Sequence, residues 1–206
     1  MGIQQATASF FKQAAITAHA DSFYQIANSE SAFKDKVAAL DNWLASANIE
    51  SNLHDYVFDL MLVLHFEQQQ QFDDYLDSPD WQDVEDYSVE RGSELLNILL
   101  YLTEAADEQV EINIDDFLYE FLLIEDDEFQ DEHRIYEDLI DNADLTECSI
   151  DEIVQVFPDS HESELGEMLR PLLLFFSAPN TKLDTSKLTP IEQALYNVFN
   201  EMANSQ

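Results

Sequence analysis

The sequence predicts an all-α fold, a compact single-domain multi-helix bundle of about eight to ten helices, on three observations. Only 3 glycines and 5 prolines occur in 206 residues, too few for a sandwich or barrel that needs a turn residue roughly every 8–12 positions. Hydrophobic residues make up 46% of the chain and aromatic residues 12%, which is not the composition of a disordered acidic tail. Apolar residues also recur at helical spacing along most of the length.

Each element can be justified from its residues in turn. Phe33, Val37, Leu40 and Leu44 fall at i, i+4, i+7 and i+11, as do Leu53, Val57, Leu60 and Leu64, so each set forms one apolar stripe. Ser78-Pro79 places a capping hydroxyl before a proline at the first helical position, with Asp80 and Asp83 in the first turns, where the helix dipole favours anions. That helix is predicted to run towards Gly92, which marks a kink or break before the segment Ser93 to Ala106. Ser149 with Glu152 fits a capping box, and Asn113 with Asp116 is a weaker analogue. The two starts look alike because the same capping physics builds both, not because the chain repeats. Ile114, Phe117, Leu118, Phe121 and Leu122 then form an apolar face opposite Asp115, Asp116 and Glu120. Leu165, Met168, Leu169 and Leu172 to Phe176 give a strongly apolar helix, bent or restarted near Pro171. Pro179 to Leu188 reads as a loop, and Thr189-Pro190-Ile191-Glu192 is the clearest capping box, opening the last helix.

No linker rich in Gly, Ser or Pro divides residues 1–206, so a single helical domain is expected. Charge divides the chain more sharply. Asp and Glu total 44 against 8 Lys and Arg, a formal net charge of -36. Residues 1–50 carry five acids and three lysines, and residues 171–206 three acids and two lysines. The 36 remaining acids face only Arg91, Arg134 and Arg170, so residues 51–170 hold a net -33. A weak internal boundary is therefore expected near residue 50, before which an N-terminal helical pair docks, swaps or pairs across a homodimer.

Counting excludes several roles. Eight scattered basic residues cannot neutralise phosphates, which rules against direct nucleic-acid binding. The longest apolar stretches, Leu95 to Leu102 and Leu172 to Phe176, fall far short of the roughly 18 residues that span a bilayer. Ala18-His19-Ala20 imitates a signal-peptidase site, but no basic residue precedes Lys12, and Lys12 and Gln13 interrupt any apolar region; Ala6 argues against a myristoylation signal at Gly2. The single Cys148 makes no intramolecular disulfide, which suits a cytoplasmic protein. Its neighbourhood is too anionic to stabilise a thiolate, so a buried structural cysteine is expected.

Catalytic and metal motifs are sparse. The three glycines are too far apart to cradle a phosphate, and no Gly-x-Ser-x-Gly elbow occurs. His19, His54, His65, His133 and His161 complete no zinc or di-iron signature. Asp126, Glu128, Gln130 and Glu137 match EF-hand positions, but Asp131 stands where that loop needs glycine. Neither a cofactor nor a resident metal is expected. Glu108-x-x-Glu111 followed by Glu128-x-x-Asp131 resembles the magnesium motif of helical nucleotide pyrophosphohydrolases of the MazG type. That resemblance implies an all-α enzyme using Mg²⁺ to hold a triphosphate. The first pair, however, precedes the cap at Asn113, and no basic residue is at hand to grip phosphates.

The acids themselves are the remaining candidate. Uniform salt adaptation would spread them over the whole chain, and solubility alone does not explain a self-repulsion this concentrated. Thirty-three charges equal those on roughly 56 Å of duplex DNA, and a compact chain of this length is about 40–45 Å across. Carboxylates three or four residues apart on a helix lie about 5–6 Å from each other, the order of successive phosphates. Asp73, Asp74, Asp77, Asp80, Asp83, Glu85 and Asp86 form one dense patch, interleaved with Tyr75, Trp81 and Tyr87. Glu125, Asp126, Asp127, Glu128, Asp131 and Glu132 form a second, extended by Glu137, Asp138, Asp141 and Asp144. The pattern predicts a non-enzymatic DNA mimic or acidic decoy whose partner is a basic nucleic-acid-binding protein. A helical adaptor or chaperone-like protein with an apolar groove is the second expectation, and the pyrophosphohydrolase the third.

Overall fold

A computed structural model describes residues 2–69, 78–124, 135–156, 165–179 and 181–204. The fold is all-α, with no strand among the described residues. The principal elements are α1 (Gly2–Gln13), α2 (Ala20–Ala27), α3 (Phe33–Ala47), α4 (His54–Glu67), α5 (Pro79–Arg91), α6 (Glu94–Glu108), a π-helical turn (Asp116–Phe121), α7 (Glu137–Asp141), α8 (Ile150–Val156), α9 (Leu169–Ser177) and α10 (Pro190–Ala203). Short 3₁₀ turns precede α2, α4 and α9 and fill 143–147. Backbone contacts group these elements into two compact units, residues 15–97 and residues 1–14 with 98–206. The division falls inside α6 after Asn97, and the charge step near residue 50 is not a packing boundary, because α3 and α4 belong to the same unit.

Each unit is organised around one helix buried on every side. In the 15–97 unit it is α4, whose residues from Val57 to His65 are all buried. A helix enclosed all round is apolar all round, which explains the run Leu60-Met61-Leu62-Val63-Leu64. Helices α2 and α3 pack on it, and α3 contributes the predicted stripe Phe33, Val37, Leu40 and Leu44, every member buried. The Phe33 ring meets Phe58 of α4 at 6.2 Å and Tyr87 of α5 at 6.2 Å between centroids.

Gly92 ends α5, as the sequence suggests, but through close approach and not through a special φ. Its backbone is extended (φ -65, ψ 150), and a Cβ there would lie 2.6 Å from the Ser88 carbonyl oxygen. The next residue is tied down by the buried Asp59, whose carboxylate accepts from Ser93 N–H at 3.0 Å and from the Ser93 hydroxyl at 2.5 Å. Burial pushes the Asp59 carboxyl well above the usual carboxylate range, against the pull of the Ser93 hydrogen bonds. At the start of α5, Ser78 and Pro79 hold the predicted positions, yet the Ser78 hydroxyl is buried and makes no capping bond.

In the other unit the enclosed helix is α9, buried continuously from Leu169 to Phe176. Pro171 lies in its first turn, where the missing N–H costs nothing, so the helix starts at Leu169 and runs through the proline. Helices α7, α8 and α10 and the 143–147 turn all pack on α9, while α1 lies along α10. The side of α1 facing inward is Ile3, Ala6, Thr7, Phe10 and Phe11, all buried. Thr7 is accommodated because its hydroxyl donates to the Ile3 carbonyl at 2.7 Å.

A single ion pair ties α9 to α10. Arg170 donates from Nε to Glu192 Oε1 at 2.7 Å and from Nη2 to Oε2 at 2.8 Å, with Arg170 5% and Glu192 0% exposed. The same carboxylate completes the predicted capping box: Thr189 N–H donates to Glu192 Oε2 at 2.8 Å, and Glu192 N–H donates to the Thr189 hydroxyl at 3.3 Å. Glu192 thus caps α10 and neutralises a buried guanidinium. Arg170→Met leaves that carboxylate buried without its partner and should cost about 3–5 kcal/mol in chemical denaturation. Arg170→Met combined with Glu192→Gln should recover part of the loss, because no uncompensated charge then remains inside.

Candidate functional site

Of the predicted site residues, Asp73, Asp74, Asp77, Glu125, Asp126, Asp127, Glu128, Asp131 and Glu132 lie outside the described residues. In the first patch, Glu85 and Asp86 are exposed on α5 and Asp83 is half-buried. Asp80 points into its own fold: it is half-buried and accepts from the Phe33 N–H at 2.9 Å, supplying the first turn of α3 with the acceptor that Ala32 at the N-cap lacks. Trp81 and Tyr87 also pack inward, on Phe66 and Phe33 respectively. In the second patch, Glu137, Asp141 and Asp144 are exposed and Asp138 is half-buried. Cys148 is half-buried, not enclosed as expected.

The charge is unevenly shared among the elements of the larger unit. Helices α1, α9 and α10 and their flanking described residues (2–14, 165–179 and 181–204) carry Lys12, Arg170, Lys182 and Lys187 against Glu167, Asp184, Glu192 and Glu201, a balance of zero. The described residues of 98–156 carry fourteen acids and no Lys or Arg, and twelve of those acids are exposed. Helix α1 pairs with α10, while the rest of the near-neutral stretch 1–50 belongs to the other unit. Lys187 reaches out of the neutral group to one of the acids, Asp151.

The described residues of 98–156 also form a cleft of about 470 Å³, lined by Tyr101, Glu104, Ala105, Glu108, Val110, Asp116, Glu120, Phe121 and Leu123. Its floor is aromatic, with Tyr101 and Phe121 in edge contact at 5.7 Å. Tyr101 is fixed by Asn113, whose N–H donates to the phenol oxygen and whose carbonyl accepts from the phenol, both at 3.0 Å. Burial, reinforced by the nearby charges of Asp116 and Glu120, pushes the Tyr101 phenol up to about 12, so it stays neutral. The cap expected at Asn113 is present: Asp116 N–H donates to Asn113 Oδ1 at 2.8 Å and Asn113 Nδ2 donates to Asp116 Oδ2 at 2.6 Å. The segment beyond this cap winds as the π-helical turn and not as a regular α-helix, presenting Phe117 and Leu118 to the core and leaving Phe121 half-exposed.

Two helix ends close against this cleft, both through left-handed residues that are not glycine. Gln109 (φ 58) ends α6, with Val110 N–H donating to the Ala105 carbonyl at 3.1 Å. Leu123 (φ 54) ends the π turn, with Ile124 N–H donating to the Leu118 carbonyl at 3.1 Å. These are Schellman-type closures, where glycine is preferred and a side chain costs about 1 kcal/mol. Leu123 is 77% exposed and Val110 44%, so neither side chain gains much from burial in its own fold. Carbonyl ends of helices carry partial negative charge, which adds to the four carboxylates of the lining.

Sequence reasoning missed a second cluster, in the 15–97 unit. Lys36 reads as a solvated lysine but is 2% exposed. Its ammonium donates to the Ala27 carbonyl at 2.8 Å, His65 Nδ1 at 3.0 Å and Gln68 Oε1 at 3.3 Å, so all three protons are used and the end of α2 is capped. The spacing carried a signal: Lys36 sits at i+3 from Phe33 and i-4 from Leu40, on the apolar stripe. Burial lowers the Lys36 pKa, against the field of Asp80. His65, 3% exposed, is lowered to about 4, first by burial and then by Lys36, so it is neutral near pH 7 and its Nε2 faces Asp80 Oδ2 at 3.9 Å without forming an ion pair. The cluster lies at the base of an open cleft of about 680 Å³ lined also by Asn28, Ser29, Glu30, Ser31, Gln68 and Gln69. With every Lys36 proton donated within the fold, its chemistry is that of a tether, not a nucleophile.

Glu108 is the last residue of α6 and Glu111 lies beyond the left-handed Gln109, so the two do not project from one helical face. Among the described residues no group of three or more His, Cys, Asp or Glu is placed to hold a metal ion, and no helix is long and apolar enough to cross a membrane. Comparison with protein-family models, with curated proteins and with solved structures gave no match.

His65 gives the cluster a pH dependence with a definite sign. Its folded pKa, about 4, lies below the unfolded value of 6.5, so its contribution is present above pH 6.5 and is lost as pH falls towards 4. Urea unfolding across that window should show the stability advantage of the wild type over His65→Gln shrinking with acidification. Parallel curves for the two proteins would contradict the assignment of a buried neutral imidazole.

Proposed function

We propose that the chain is a non-enzymatic acidic interaction protein that binds and blocks the cationic nucleic-acid-binding surface of a partner protein, in the manner of a DNA mimic. One observation carries this reading: the described residues of 98–156 bear fourteen acids, twelve of them exposed, and no Lys or Arg. Helices hold their carboxylates at spacings comparable to phosphates on a backbone that is already ordered before binding. Association should be electrostatically steered and steeply dependent on salt.

The cleft between Tyr101 and Leu123 favours a second reading, a helical adaptor that takes an apolar segment of its partner. The two readings differ in what competes. With the full chain immobilised in cell extract at low salt, the mimic reading expects nucleic-acid-binding proteins to be retained and then released by added duplex DNA. It also expects affinity for such a partner to fall at least about tenfold between 50 and 200 mM salt. Retention that duplex DNA does not disturb, with affinity indifferent to salt, would refute the mimic and favour the adaptor.

A further inference from the structure

We infer that the cleft at the end of α6 is the anchoring point for a partner segment in which an apolar side chain is flanked by Lys or Arg. Three large hydrophobic residues are strongly exposed among the described residues, and two of them, Val110 and Leu123, line this one cleft. Both belong to left-handed helix closures. Glycine at position 123 would serve the fold better, yet the position holds an exposed leucine, a side chain whose cost the isolated fold does not recover. Contact with a partner recovers it.

Charge complementarity fixes the rest of the occupant. Glu104, Glu108, Asp116 and Glu120 line the cleft with no Lys or Arg among the lining residues. An apolar segment without cations would leave these carboxylates partly desolvated and unpaired, which is costly. A cationic segment without an apolar residue would leave Leu123 and Val110 in water. Only a segment carrying both satisfies the lining, and the Tyr101–Phe121 floor suits the flat face of a guanidinium or the stem of a lysine.

The inference rests on the proposed reading in that it names how the cationic partner is held, and it is tested separately with peptides. The probes are a labelled amphipathic Lys/Leu peptide and its Lys/Ser counterpart, titrated against the full chain. The Lys/Leu peptide should bind at least tenfold more tightly than the Lys/Ser peptide. Leu123→Gly should remove that preference while the melting temperature stays the same or rises, a combination that a purely structural role cannot produce. Glu104→Gln with Glu120→Gln, both at exposed positions, should weaken Lys/Leu binding several-fold and flatten its salt dependence. Asp21→Asn with Glu50→Gln removes the same charge at exposed positions outside the cleft and outside both acidic patches and should leave binding nearly unchanged. If the two charge pairs weaken binding equally, or if both peptides bind alike, the anchoring cleft is refuted and diffuse acidic attraction remains. Preferential Lys/Leu binding with no displacement of duplex DNA from nucleic-acid-binding proteins would instead overturn the mimic reading and leave the cleft.

Discussion

Scarcity of cations is the constraint on which the rest of the molecule depends. Eight basic residues accompany 44 acids, and three of them, Arg170, Lys36 and Arg91, hold helices together. Arg170 is sealed against Glu192 between α9 and α10. Lys36 joins the end of α2 to α3 and α4. Arg91 pairs with Asp41 at 2.7 Å and lies 5.4 Å from the centre of the Phe58 ring. A charge buried without a partner costs several kcal/mol, so each interior cation is committed to one geometry. Among the described residues the exposed lysines, Lys12, Lys34, Lys182 and Lys187, are far outnumbered by exposed carboxylates.

Helices were legible because their evidence is periodic and local. The stripes of α3 and α4, the break at Gly92 and the box at Thr189 and Glu192 all depend on residues within a few positions of one another. Buried charge was harder to read. Lys36, Asp59 and Arg170 look like solvated residues until the enclosing helices are known, although Asp59 and His65 both lie in a stretch apolar on every side, where any polar group must be internal. Ser149 shows the limit of motif reading: its N–H and hydroxyl both donate to Glu152 Oε2, while Glu152 N–H turns to the Ser149 carbonyl, so only half of the predicted box forms. The cleft left no signal at all, since nothing in a sequence marks a leucine or glutamine that adopts a left-handed conformation.

Charge tells a different story in space than along the chain. The acidic block 51–170 straddles both units, and its division into patches by sequence does not survive intact, because Asp80 serves its own helix packing. The neutral flanks, by contrast, gain meaning on folding. Helix α1 of one flank meets α10 of the other, and these two helices with their flanking described residues balance their charges within one unit. What remains is a set of carboxylates around a cleft that also exposes Val110 and Leu123, and the proposed binding surface rests on this juxtaposition of charge with uncovered hydrocarbon.

The pairing of α1 with α10 also sets the order in which the protein can form. Gln13 donates to Gln193 across a sequence separation of 180 residues, whereas every segment of the 15–97 unit is present once residue 97 has been made. During synthesis the smaller unit can therefore close early, while α1, with Ile3, Phe10 and Phe11 uncovered, must wait for the last helix to emerge. Ribosomal pausing or truncation before α10 would leave that apolar face without its cover, and the nascent chain would then depend on its own negative charge, or on a chaperone, to stay out of aggregates.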